Sequence, residues 1–145
     1  MLISKGQFTN YRSIFYDKIR KTPHYIELEI FSLVDNTESE EFSLESFVGD
    51  SPRTSVKYKL QALYEKIISD RMRDKYGLAK EVNGVVYLSP LQLTPILGTF
   101  HLDWNKTKIH FNGRVQVINK IIYLEEMYDS CVGIQIFVTD DLKGG

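Results

Sequence analysis

Few residues in this chain have the types needed for catalysis or metal binding. There are three histidines, His24, His101 and His110, and one cysteine, Cys131. Imidazole and carboxylate suit zinc or iron, so His101, Asp103 and His110 form the one set from which a metal site could be drawn. Their spacing matches no metal-binding pattern, and a loop and a strand would have to converge to bring them together. Cys131 lies in an apolar run, Cys131-Val132-Gly133-Ile134. No acyl-transfer motif surrounds it, and the run reads as a buried thiol acting as a small hydrophobe. Adjacent acids occur at Glu40-Glu41, Glu125-Glu126 and Asp140-Asp141, where a solvated surface explains them. No glycine-rich loop could cradle a phosphate. The residues therefore lead us to expect no enzyme, no catalytic residue, no metal, no cofactor and no small-molecule substrate.

Charge is laid out unevenly. Residues 22–52 hold no lysine or arginine but eight acids: Glu27, Glu29, Asp35, Glu38, Glu40, Glu41, Glu45 and Asp50. Residues 53–80 hold eight bases, Arg53, Lys57, Lys59, Lys66, Arg71, Arg73, Lys75 and Lys80, against three acids, Glu65, Asp70 and Asp74. The neighbouring blocks thus carry −8 and +5 (8 − 3), while the whole chain carries −1. One reading is compensation inside one molecule. A sharper one is complementarity between copies, because a head-to-tail ring needs unlike patches on the two sides of each subunit. Nucleic-acid binding by the basic helix is a third reading, against which stands the overall balance, since a nucleic-acid binder usually shows a basic excess.

The elements that must position these groups follow from periodicity. With 145 residues and 43% hydrophobic content, the chain suits one domain, 1–145. One cysteine excludes an internal disulfide. The start, MLISKGQFTN, has no apolar stretch of signal-peptide length, and no window approaches the roughly 20 apolar residues of a membrane span. A soluble intracellular chain is expected. Phe8, Tyr11, Phe15 and Ile19 predict a short N-terminal helix over 8–21. The alternation in 24–34 predicts a half-buried strand. Residues 35–52 read as a long acidic loop with a short strand at Phe42–Val48. Val56, Leu60, Leu63, Tyr64, Ile67, Ile68 and Met72 trace a helical stripe and predict a long amphipathic helix over 54–76, with Leu63 and Ile67 buried against the sheet. Asn83-Gly84 and Asn112-Gly113 each suit a type I′ hairpin turn. Residues 106–111, 114–124 and 131–139 predict an antiparallel meander, and 89–105 an irregular segment holding at most a turn or two of helix. The expected fold class is α+β, a small barrel-like antiparallel meander with one long helix and a short N-terminal one.

The C-terminal stretch carries a resemblance. Lys108-Ile109-His110-Phe111-Asn112-Gly113-Arg114-Val115-Gln116-Val117 reads strand, Gly-Arg turn, strand. An acidic loop, Glu125-Glu126-Met127-Tyr128-Asp129, and a closing strand, Gly133-Ile134-Gln135-Ile136-Phe137-Val138, follow. This resembles the end of the head-closure (stopper, or head–tail joining) proteins of tailed bacteriophages, small β-rich proteins that form a ring between portal and tail. It covers 105–141, about a quarter of the chain. The two expected helices depart from a minimal stopper and are more similar to tail-terminator ring proteins. The resemblance implies a structural virion component of the neck or tail, made in the host cytoplasm. It also implies a homo-oligomeric ring, contacts with portal-side, neck and tail proteins, and a lumen that passes DNA. The expected contact residues are Glu38, Glu40, Glu41, Phe42 and Phe47 in the acidic loop, Arg71, Arg73 and Lys75 on the helix, and Leu91 and Leu93 in the irregular segment. A small immunity or regulatory module, or an enzyme of another family, would be the alternatives.

Overall fold

The computed structural model describes residues 4–22, 24–33, 53–67, 69–78 and 81–141. Ser4 caps the first helix, α1 (Lys5–Arg20), through a capping box with Gln7, which satisfies two otherwise orphaned backbone donors. The sixteen-residue α1 is the longest helix among the described residues and starts earlier than the short one expected over 8–21. It sets Phe8 and Ile19 into the protein and lies across the sheet's β4 and β7 (Gly84–Leu88 and Gly133–Asp140).

The remaining strands are β1 (Tyr25–Leu33), β2 (Arg53–Gln61), β3 (Leu63–Lys66), β5 (Thr107–Phe111) and β6 (Arg114–Leu124). The seven strands of the described residues pair antiparallel in one sheet, in the order β2-β1-β5-β6-β7-β4-β3. The two edge strands are consecutive in sequence, with only Ala62 between them. Opposite edges can be joined by one residue only if the sheet curls until they meet. Ala62 donates its N–H to the His24 carbonyl, and the Thr22 hydroxyl bonds the Ala62 carbonyl, fastening that corner. The described residues form a curled half-barrel with three short helices: α1, α2 (Asp70–Tyr76) and α3 (Pro90–Leu97).

This overturns the expected fold class. Residues 54–76 form no long helix. They hold β2, β3 and the seven-residue α2. The apolar stripe at helical spacing coincides with an equally good alternation, Val56, Tyr58, Leu60, Ala62, Tyr64. Tyr25, Leu28 and Ile30 of β1 stand opposite Gln61, Tyr58 and Val56 of β2. A pleated strand that buries Leu60 and Ala62 in the barrel wins over an isolated amphipathic helix, since packing rather than propensity decides such segments. Ile67 is buried as expected, but Leu63 is only half-buried. Asn83-Gly84 makes no hairpin turn either. The chain runs directly into β4, and the Tyr64 ring fills the space where a side chain at 84 would lie.

The C-terminal meander is present. Asn112 and Gly113 adopt φ of 52° and 77° between Phe111 and Arg114, the left-handed pair a type I′ turn requires. The segment 89–105 contains the eight-residue α3 and a short 3-10 turn at Trp104–Lys106. The barrel core gathers Ile26, Leu28, Leu60, Val86, Leu88, Leu93, Ile109, Ile134, Ile136 and Val138. On the outer side of β7 a second cluster joins Ile67, Val82, Val85 and Phe137. With both faces covered, β7 is buried along most of its length. The acidic loop and strand expected within 35–52, including Glu38, Glu40, Glu41, Phe42 and Phe47, fall outside the described residues. No helix among the described residues is long and apolar enough to cross a membrane.

Candidate interaction face

The outer face of β2, β1 and β5 collects the charge-bearing side chains. Because side chains alternate along a strand, burying Ile26, Leu28 and Leu60 turns Tyr25, Glu27, Lys57 and Lys59 outward. Two rows cross the sheet there: Lys59, Glu27 and His110, then Lys57, Glu29 and Lys108. Glu27 and Glu29 of the acidic block thus face Lys59 and Lys57 of the basic block within one chain. Compensation inside the molecule accounts for these four charges, and they give no electrostatic motive for contacts between copies.

Glu29 anchors the face. Its carboxylate takes His110 Nε2 at 2.7 Å and the Ser55 hydroxyl at 2.6 Å, and it is only 9% exposed. Burial raises its pKa, but the hydrogen bonds from Ser55 and His110 and the nearby charges of His110 and Lys57 outweigh burial. The carboxyl therefore titrates below its usual range. Lys108 closes a 2.7 Å ion pair with Asp141 and lies over the Phe31 ring. Lys59 Nζ sits 5.0 Å from the centre of the Tyr25 ring, a geometry that favours a cation over an aromatic face. Between these groups lies an open cleft of about 290 Å3, lined by Tyr25, Glu27, Lys59, His110 and Asn112 among others.

The metal-type residues named from sequence do not converge. His101 Nε2 pairs with Glu126 at 2.9 Å, His110 with Glu29, and Asp103 with Lys106 at 3.8 Å. Among the described residues no three metal-ligating side chains gather. Cys131 is buried, and burial first and the Glu126 charge second push its thiol up to about 12. A thiol so protonated at neutral pH is a poor nucleophile. Trp104 Nε1 donates to the Tyr123 hydroxyl at 2.8 Å, and Tyr123 also meets the Phe100 and His101 rings.

Of the expected contact residues, Leu93 is fully buried in the barrel core and cannot form an external contact. Its position on α3, held by Pro90 at the helix start, aims it inward. Leu91 is half-buried. Arg73 pairs with Asp70 at 3.1 Å and donates to the Val82 carbonyl, so it secures α2 rather than projecting. Arg71 and Lys75 are exposed on the same short helix. Sequence reasoning missed Glu29 with Ser55 and His110, because strand alternation alone marks Glu29 as a solvent-facing acid. It also missed Gln116, a fully buried amide that donates to the Tyr64 hydroxyl at 2.9 Å and to Asp140 at 3.1 Å.

No protein-family model matches the chain, and a search of curated proteins returns no match.

Proposed function

We propose that this chain is a non-enzymatic structural subunit of a tailed bacteriophage, a ring-forming neck component that joins the portal side of the head to the tail. The observation that supports this reading is the C-terminal unit. Its strand, Asn112-Gly113 turn, second strand, acidic loop and closing strand pair in the order β5-β6-β7, matching the cadence that carries the resemblance. The acidic loop is tightly formed. Met127 and Ser130 exchange backbone hydrogen bonds around Tyr128 and Asp129, whose φ angles are 51° and 57°. In this role the partners are further copies of the chain, the portal-side ring and tail proteins, and DNA passes through the lumen. Because Glu27 and Glu29 face Lys59 and Lys57 within one chain, apolar and shape complementarity rather than these charges would hold the ring.

Native mass measurement tests the proposal, on the purified protein alone and mixed with portal-side and tail proteins encoded beside it. A closed ring of many copies is expected, alone or once a neighbouring ring is supplied. A monomer in every mixture contradicts the proposal.

A further inference from the structure

The ladder between β1 and β5 runs from Ile30 opposite Thr107 to Glu27 opposite His110 and stops there. Beyond it Tyr25 and Ile26 pair with Gln61 and Leu60 of β2, while the chain after Phe111 turns through Asn112-Gly113 into β6. The cleft of about 290 Å3 lies where β1 and β5 part, at the end of β1 away from Leu33 and Arg53. Two opposite charges line it, Glu27 and Lys59. They are cross-strand partners, yet among the described residues neither forms an ion pair with the other or with any further charge. Lys59 instead holds its ammonium over the Tyr25 ring, so all three of its N–H donors are open. The Glu27 carboxylate accepts no hydrogen bond among the described residues. At the last rung of the ladder His110 is fixed by Glu29 at 2.7 Å. The apolar part of the lining is the Tyr25 ring and Phe111, which also packs on the barrel core.

We propose that this cleft binds a free α-amino acid with an apolar side chain. Its carboxylate takes the Lys59 ammonium, its own ammonium takes the Glu27 carboxylate, and its side chain lies against Phe111 and Tyr25. One cation and one anion leave the cleft without net charge. A simple anion would answer Lys59 but meet Glu27, and a simple cation the reverse. Only a molecule carrying both charges pairs each of them, and hydrogen bonds between charged groups are the strong ones. The volume is close to the lower limit of ligand pockets, about 300 Å3, which suits a single amino acid. The site does not depend on the chain being a neck subunit.

The probe is L-phenylalanine, titrated into the full chain and read by backbone amide chemical shifts. Saturable shifts at 25–27, 59 and 110–113 are expected. 3-Phenylpropionate, which lacks the ammonium, and phenethylamine, which lacks the carboxylate, each bind on the order of tenfold more weakly, the loss of one charged hydrogen-bonded pair. Glu27→Gln and Lys59→Gln each lower the affinity for L-phenylalanine by a similar factor. Each also removes one preference: Glu27→Gln that over 3-phenylpropionate, Lys59→Gln that over phenethylamine. Both residues are exposed, so the variants keep the fold, and unchanged shifts outside the cleft verify it. The proposal is overturned by the absence of saturable shifts with L-phenylalanine, by shifts centred elsewhere, by equal binding of the three probes, or by an affinity unchanged in either variant.

Discussion

Phe137→Ala lowers the unfolding free energy by about 3–5 kcal/mol, the usual range for emptying a large aromatic site in a core. Phe137 is 1% exposed and points from β7 away from the barrel. There it packs with Ile67, Val82 and Val85, and its ring lies 5.2 Å from that of Tyr76 on α2. The seven residues of α2 bury none of their own side chains fully. A helix this short is marginal on its own, and its Met72 and Tyr76 pack against the outer cluster that includes Phe137. β4 and β6 flank β7 and hold its backbone in register on both sides, so the backbone cannot collapse into the void. Urea unfolding checks this through a lower midpoint at a similar slope. A loss under about 1 kcal/mol would mean that the outer cluster is not packed.

Gly133→Ala destabilises by about 1–3 kcal/mol despite adding a single methyl group, because overpacking forces neighbours out of their rotamers. A Cβ at 133 would overlap the ring of Phe15, which covers that point of β7 from α1. The Phe15 ring also packs edge-on with Tyr87 at 6.4 Å between ring centres, so moving it disturbs that contact. The clash is a property of the pair. Adding Phe15→Ala removes the overlapping atoms, so the double variant costs less than the sum of the two single changes. Strict additivity in thermal or chemical unfolding would show that α1 does not lie over Gly133.

The same physics explains what was legible in the sequence. The meander was readable because its signals are local: period-two alternation in each strand, and Asn112-Gly113 at the one place where two successive left-handed residues are needed. The segment 54–66 was not, because two periodicities fit it at once. Val56, Leu60, Leu63, Tyr64 and Ile67 satisfy a helix, while Val56, Tyr58, Leu60, Ala62 and Tyr64 satisfy a strand. Only the distant partners β1 and β4 decide between them. Leu93 could be read as apolar but not as buried, since its burial depends on α3 docking under the barrel. Glu29 looked like one more solvated acid until Ser55 and His110, 26 and 81 residues away, closed on it. The charge blocks were legible as blocks. Their opposition across β1 and β2 needed the strand register.

Residues 53–66 are extended throughout, with β2 closing against β1 and β3 against β4. Nuclear Overhauser contacts test this directly. The predicted result is cross-strand contacts between Leu28 and Tyr58 and between Tyr64 and Val86, matching the ladder partners, with strong sequential Hα–HN contacts through 54–61. Continuous contacts between residues three apart along 54–66, without the cross-strand set, would mean a helix there and would contradict the curled sheet.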